Sequence, residues 1–465
     1  MKHLTNRVED IKIAYIGGGS RGWAWGLMSD LVSVDDISGT VALYDIDREA
    51  AEANVIIGNK YNEIEGAKTK WDYLLAETLE DALTGADFVI ISILPGTLDE
   101  MWSDVHTPEK YGIFQSVGDT VGPGGIVRAL RTIPMMQVIA EGVKKCCPEA
   151  WVINYTNPMT VSVKALYEQF PEIKCFGCCH EVFGTQKLLA TALEEVKGIK
   201  DVQRDDIKIN VVGINHFTWI TKANYKDIDL YPVYAELVKQ NFKHGEDKNA
   251  DDNWANSAFS QNYSIKFDLF KRYGIIAAAG DRHLAEFCPA EWYIGTKENV
   301  ESWDYKLTGV QWRKNHQAWL IEQQKKKASG EASEEVEIKL TGEDGVKQIR
   351  ALLGLSDLIT NVNLPNRGQI SNLPLGAVVE TNAVFRDNQV IPVFSGEVPV
   401  QIKSLVDRIV GEQETTARAA LNRDLELAFS AFVNDPLVTV DSVRARELFD
   451  EMVENTKSYL TEYFN

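Results

Sequence analysis

The stretch that decides the fold is IKIAYIGGGSRG, residues 11–22. A short apolar run ends in glycines, and Gly17, Gly19 and Gly22 form G-x-G-x-x-G where a helical pattern, WAWGLMSDLVS, begins. The first glycine permits a tight turn, the second lets backbone approach a pyrophosphate, and the third lets helix and strand pack closely. The helix N-terminus then offers partial positive charge to the phosphates. A second strand pattern follows, TVALYDID at residues 40–47. Its Asp45 stands where a carboxylate accepts from adenosine ribose hydroxyls, which favours NAD over its phosphorylated form; Asp47 is close enough to share that contact. Strand, glycines, helix, strand and acid occur in the order that dinucleotide binding requires.

Outward from this unit, ADFVIISIL (86–94) and AWVINYTNP (150–158) read as further buried strands, with GGIVRALRTIPMMQVIAEGVKK as helix between them. Continuous apolar strands alternating with helices predict a parallel sheet covered on both faces. The pattern changes near residue 200. DIKINVVGINHFTWITKA reads as strand, DLYPVYAELVKQNF and NYSIKFDLFKRYG as helix, and the chain beyond about Val400 as amphipathic helix. Residues 323–345 are charged and poor in apolar side chains, which suits an exposed helix and loop. The expected fold is α/β: a Rossmann-like NAD-binding domain over residues 1–200, then a domain over 201–465 that carries substrate and oligomer contacts, with the active site at their interface.

The chain has 465 residues, ample for two domains. With 48 basic and 68 acidic side chains its formal charge is −20, which argues against nucleic acid or an anionic membrane as partner. No apolar run reaches the ~18 residues of a membrane span. No apolar leader precedes the first strand pattern. The six cysteines, five of them between residues 146 and 179, are not spaced as a disulfide framework, and a cytoplasmic, reducing setting is expected.

The chemistry-bearing residues cluster in FGCCHEVFG, residues 176–184. Cys179 and His216 (in GINHFTW) each follow a strand pattern, and a thiolate with an imidazole suits a divalent transition ion. A buried cysteine acting as a small apolar residue is the alternative for Cys179. The C-x-x-C spacing of Cys175 and Cys178 also permits structural zinc, but no second pair completes a four-ligand site. His283, in GDRHLAEF, follows the strand-like GIIAAAG. Asn154 and Asn157, in NYTNP, are placed to hold hydroxyls or a nicotinamide amide, or else to form a polar turn before a helix.

IGGGSRG, VGPGGIVRALRTIP, INYTNP, CHEV, GINHF, GDRHLAEF and NLPNRGQISNLP occur in this order along nearly the whole chain. Together they resemble family 4 of the glycoside hydrolases, NAD- and metal-dependent enzymes that stand apart from the usual two-carboxylate glycosidases. The resemblance implies a fold similar to lactate and malate dehydrogenases, with an α+β C-terminal domain, assembled as a homodimer or homotetramer. It implies a redox-assisted elimination: NAD takes hydride from carbon 3 of the sugar, a base removes the acidified proton on carbon 2, a divalent metal, usually manganese, steadies the enediolate, and the hydride returns after water adds. Carried over residue by residue, it makes Cys179 and His216 the metal ligands, Asn157 a binder of substrate hydroxyls and His180 the proton donor. The base is a tyrosine in phospho-sugar members. GDRHL here points to Asp281 or His283, with Tyr263 and Tyr273 in reserve.

The tetrapeptide Cys179-His180-Glu181-Val182 resembles the branch that cleaves α-galacturonides, with α-glucuronides or other α-glycosides as alternatives. A uronate carboxylate calls for an arginine fork, for which Arg282, Arg367 and Arg131 are candidates. Beside an anionic substrate Glu181 has no evident task unless it orients His180 or binds a hydroxyl through water. A plain NAD-dependent hydroxy-acid or sugar dehydrogenase is the more distant alternative; it explains the glycines and Asp45 but not Cys179 or the NLPNRGQISNLP loop.

Overall fold

The structure, a computed structural model, describes residues 1–242, 262–330 and 336–464. Part of the charged 323–345 stretch therefore lies outside the described residues. Of the rest, 323–329 end a helix, Val310–Ser329, and 336–344 are loop.

The strands are β1 (Lys2–His3), β2 (Val8–Ile16), β3 (Ile37–Tyr44), β4 (Trp71–Leu75), β5 (Phe88–Ile91), β6 (Trp151–Asn154), β7 (Lys174–Gly177), β8 (Ile207–Ile214), β9 (Phe217–Tyr225), β10 (Ile228–Asp229), β11 (Ile276–Ala277), β12 (Leu358–Pro365), β13 (Val378–Arg386) and β14 (Gln389–Pro392). The main sheet runs β14-β13-β12-β7-β6-β5-β2-β3-β4, with β1 antiparallel on β2. From β7 to β4 all pairing is parallel. The alternation of side chains along β2 explains the two-faced burial. Ala14 and Ile16 join Ile126, Leu130 and Ile133 of the long helix Gly122–Cys146 on one face. Ile13 and Tyr15 join Met28 and Leu31 of helix Trp23–Val32 on the other.

β12–β14 come from residues 358–392, yet they extend the first domain's sheet, antiparallel to β7 at its edge. The sheet therefore crosses the expected division at residue 200. β8 and β9 form a hairpin at the heart of a second, four-stranded sheet with β10 and β11. Asn215 and His216 are its two-residue turn, so His216 stands in a hairpin rather than at the end of a lone strand. Among the described residues no helix is long and apolar enough to cross a membrane.

Candidate active site

The nucleotide loop is built locally. Gly17 turns the chain at φ +94°, and a Cβ there would lie 2.0 Å from the Ser92 carbonyl oxygen. The N–H groups of Gly17 and Gly18 both donate to the Tyr44 carbonyl at 2.9 Å. Close packing falls on Gly18 and Gly19, where a Cβ would meet Leu43 and Ala50 at 2.8 Å. At Gly22 a Cβ would meet nothing within 4 Å. The third glycine thus does not serve the helix–strand packing expected of it. Helix Trp23–Val32 begins at Gly22 with no side-chain cap, so its first N–H groups are open to a phosphate. Asp45 accepts from the Gly19 N–H at 2.8 Å and the Asp47 N–H at 2.9 Å. It thereby rigidifies the loop while keeping lone pairs for a ribose hydroxyl. Asp47 caps the helix Arg48–Tyr61 and pairs with Arg21 at 3.0 Å. These residues fit a dinucleotide: the turn admits no side chain, and the uncapped helix end faces it.

The second region is assembled from distant segments. Asp119, His216 and His283 place one ligand atom each within 4.8 Å of one another. The rings of His216 and His283 lie 3.7 Å apart between centroids, inclined by 30°. His216 holds φ +62°, a strained backbone for a side-chain-bearing residue, of the kind concentrated at functional sites. Thr120 Oγ1 donates to Asp119 Oδ1 at 2.7 Å and meets His216 Nδ1 at 2.9 Å. Its single proton being given to Asp119, Thr120 accepts from His216 Nδ1–H. His216 Nε2 is then left as a bare lone pair, the tautomer a metal ligand needs. Burial and the neighbouring His283 push the His216 imidazole down to about 3, so it is neutral at physiological pH. Burial alone would raise the Asp119 carboxyl; His216, His283 and Arg128 outweigh it and hold it well below the ordinary carboxylate range.

Each member is held by a second layer. Asn157 Nδ2 donates to Asp119 Oδ2 at 3.3 Å, while its Oδ1 is buried without a partner. Glu286, on helix Asp281–Phe287, accepts from the Val117 and Gly118 N–H groups at 2.8 and 2.9 Å, so the helix that carries His283 also clamps the loop that carries Asp119. Glu181 accepts from the Gly280 N–H at 2.9 Å and stands 3.8 Å from His283 Nε2. Burial raises its carboxyl, but His283, His216 and His180 bring it down to about 2. The structure thus places the Glu181 carboxylate, fixed by the Gly280 N–H, beside the His283 ring.

Cys179 is buried where the chain leaves β7, outside the tight cluster of three. Burial, then Glu380 and Glu181, push its thiol well above the ordinary value. Glu380 is itself buried among Asn215 and Asn361 and raised by burial to about 7. A neutral imidazole, a thiol and several carboxylates gathered in one buried region are the donor types that suit a divalent transition cation. His180 opens the helix Glu181–Lys197 with half its side chain exposed. Its Nδ1 meets Glu343 Oε1 at 3.1 Å, and its ring lies 6.0 Å from that of Trp23. The Glu343 bond raises the imidazole above its ordinary value against the effect of burial.

Other expected residues are placed differently. Asp281 is fully buried and accepts from the N–H groups of Ile265 and Lys266 at 3.2 and 3.1 Å. It caps the helix Ser264–Tyr273 beside Lys266 instead of facing the histidines, because uncapped helix N–H groups inside the protein need an acceptor. Tyr273 ends that helix with its ring edge-on to Trp219 at 6.4 Å, and Tyr263 lies over Lys266. Arg282 donates to the Ser116 carbonyl at 2.6 Å and to Thr308, so it fastens the loop rather than facing solvent. Arg131 forms a buried ion pair with Asp104, and Arg367 is exposed on its loop. Sequence reasoning missed Asp119, Thr120, Glu343 and Glu380. Only Asp119 left a trace, standing between the turn glycines of VGDTVG.

Known proteins resemble the chain along nearly its whole length. The description "Family 4 glycosyl hydrolase" matches residues 12–195, and "Family 4 glycosyl hydrolase C-terminal domain" matches residues 211–438. The chain is 62% identical over 460 residues to an alpha-galacturonidase of Thermoanaerobacterium saccharolyticum, covering 99% of this chain and 98% of that one. Among solved structures, a Bacillus subtilis protein assigned as a glucosidase, lplD, superposes with a TM-score of 0.90 at 50% identity, covering 96% of this chain and all of the other. The 6-phospho-beta glucosidase of Thermotoga maritima, solved with manganese, NAD+ and glucose-6-phosphate, is 23% identical with a TM-score of 0.76 over 97% of this chain and 99% of that one, and shows the shared fold. The chain belongs to family 4 of the glycosyl hydrolases and is a glycoside hydrolase.

Proposed function

We propose that this enzyme hydrolyses α-galacturonides with NAD and a divalent metal, manganese being the first candidate. One observation carries the reading. The consecutive Cys179, His180 and Glu181 bring a thiol, a half-exposed imidazole and a carboxylate that faces His283 to the end of β7. The similarity to an alpha-galacturonidase along 99% of the chain supports the substrate. When bound, NAD and the cation together supply a reversible oxidation that makes a sugar C–H bond acidic.

The chain's residues do the rest. Gly17, Gly19, Gly22 and Asp45 hold the dinucleotide. Cys179 and His216 hold the cation, His216 through the Nε2 that Thr120 leaves bare. Asn157 binds a substrate hydroxyl. His283, steadied by Glu181, takes the carbon-2 proton, and His180, steadied by Glu343, gives one to the leaving oxygen. The reading divides the work between residues 1–200 and 201–465, with a homodimer or homotetramer as the working form and glycosides as the only partners. All six cysteines are free, which suits the cytoplasm.

The test is hydrolysis with NAD, Mn2+ and a reductant, offered α-galacturonide, α-glucuronide, α-galactoside and α-glucoside. Cleavage of a neutral glycoside but of neither uronide refutes the substrate. Stoichiometric NADH without sugar release refutes the hydrolase reading and favours a dehydrogenase. Elimination also requires solvent deuterium at carbon 2 of the product.

A further inference from the structure

A uronide differs from the matching hexoside by one carboxylate, and this site is poorly suited to an anion. Asp119, Glu181, Glu343 and Glu380 surround it. A cation must offset them if a galacturonide is to enter. The guanidinium groups nearby are Arg128, Arg282 and Arg313. Arg128 is buried, and its Nε donates to the Asn157 carbonyl at 3.2 Å. Arg282 is spent on Ser116 and Thr308.

Arg313 is different. It lies on the first turn of helix Val310–Ser329, whose start is tied to the Asp119 loop: the Thr308 N–H donates to the Ser116 carbonyl at 2.9 Å, and the Thr308 hydroxyl donates to it at 2.6 Å. Its side chain is partly covered, and its Nε is buried with no hydrogen-bond partner. Among the described residues no carboxylate pairs with it. Five residues beyond Thr308, it is held near the Asp119 loop by that tie, and its charge acts on the Asp119 carboxylate. A guanidinium with its Nε buried and unpartnered is costly unless something anionic completes it.

We propose that Arg313 receives the carboxylate of the galacturonide and sets the preference for uronides over neutral hexosides. This rests on the α-galacturonidase reading. The planar fork of arginine matches a carboxylate in two parallel bonds, which lysine cannot reproduce. A neutral hexose offers a hydroxyl in that place, which accepts one bond but carries no charge to offset the guanidinium.

The experiment compares wild type, Arg313→Gln and Arg313→Lys on an aryl α-galacturonide and on its uncharged methyl ester, with NAD and Mn2+. For Arg313→Gln, kcat/KM on the acid is expected to fall by about 10²-fold, mostly through KM, while the ester, already poor, changes little. Arg313→Lys recovers part of the loss. Titration calorimetry is expected to show the same loss for free galacturonate, with NAD affinity unchanged as proof of an intact fold. Equal losses on acid and ester, or wild-type kcat/KM on the acid in Arg313→Gln, overturn the assignment alone. If wild type cleaves no galacturonide, the functional reading falls and takes this inference with it.

Discussion

The glycine loop and the histidine cluster are built by opposite means. The loop draws on one strand–helix–strand unit: Gly17, Gly19 and Asp45 lie within 29 positions and hydrogen-bond to their own neighbours. The cluster gathers Asp119, His216 and His283 from distant segments, with Asn157 and Glu181 reaching Asp119 and His283 from two others. Cofactor binding is thus a property of a local motif. The proposed chemistry depends on how distant segments meet, and the two regions should fail separately.

The largest expected effect tests that separation. His216→Ala removes the tautomer-fixed imidazole and should abolish measurable Mn2+ affinity by calorimetry, with turnover down at least ~10³-fold and NAD affinity retained. Equal loss of NAD binding would mean the two regions are one unit. Next, Gly17→Ala drives a Cβ to 2.0 Å from the Ser92 oxygen at a left-handed backbone position. A loss of about 3 kcal/mol in unfolding free energy is expected, along with NAD affinity; an unaltered Tm and NAD affinity would refute the steric account.

A smaller effect separates base from cap. Asp281→Asn keeps an acceptor for the helix Ser264–Tyr273 and should cost about 1 kcal/mol in stability, with kcat within about tenfold of wild type. His283→Ala should cost far more in kcat. The reverse ranking in folded variants would return the base to Asp281. The smallest effect is a pH slope. Burial raises the Glu286 carboxyl from its ordinary 4.5 to about 8, despite the Val117 and Gly118 N–H groups. Between these values the folded state binds more protons than the unfolded one, so Glu286 makes stability fall as pH rises from about 4.5 to 8. The slope approaches about 1.4 kcal/mol per pH unit in mid-range. Glu286→Gln should flatten it in denaturant titrations across that window.

The two regions also differ in how far sequence reaches. The glycine spacing and Asp45 were legible because their geometry is set within a few residues. So was the Cys179-His180-Glu181 motif, through family resemblance. Asp281 and His283, two positions apart, looked equivalent; the helix turns one toward the buried N-terminus of Ser264–Tyr273 and the other onto His216. Arginines could be counted but not ranked, because only packing shows that Arg131 is paired with Asp104 and Arg282 bonded to Ser116 and Thr308, while among the described residues no carboxylate pairs with Arg313.

By itself the sequence determined the parallel sheet, the dinucleotide loop and the family, since strand burial, turn sterics and ordered motifs are encoded locally. The tertiary structure decided that β12–β14 extend the first sheet, that Thr120 fixes the tautomer of His216, and that Glu181 stands beside His283. Those outcomes depend on which side chains meet across long loops, where hydrogen-bond geometry and desolvation, rather than spacing along the chain, set each residue's role.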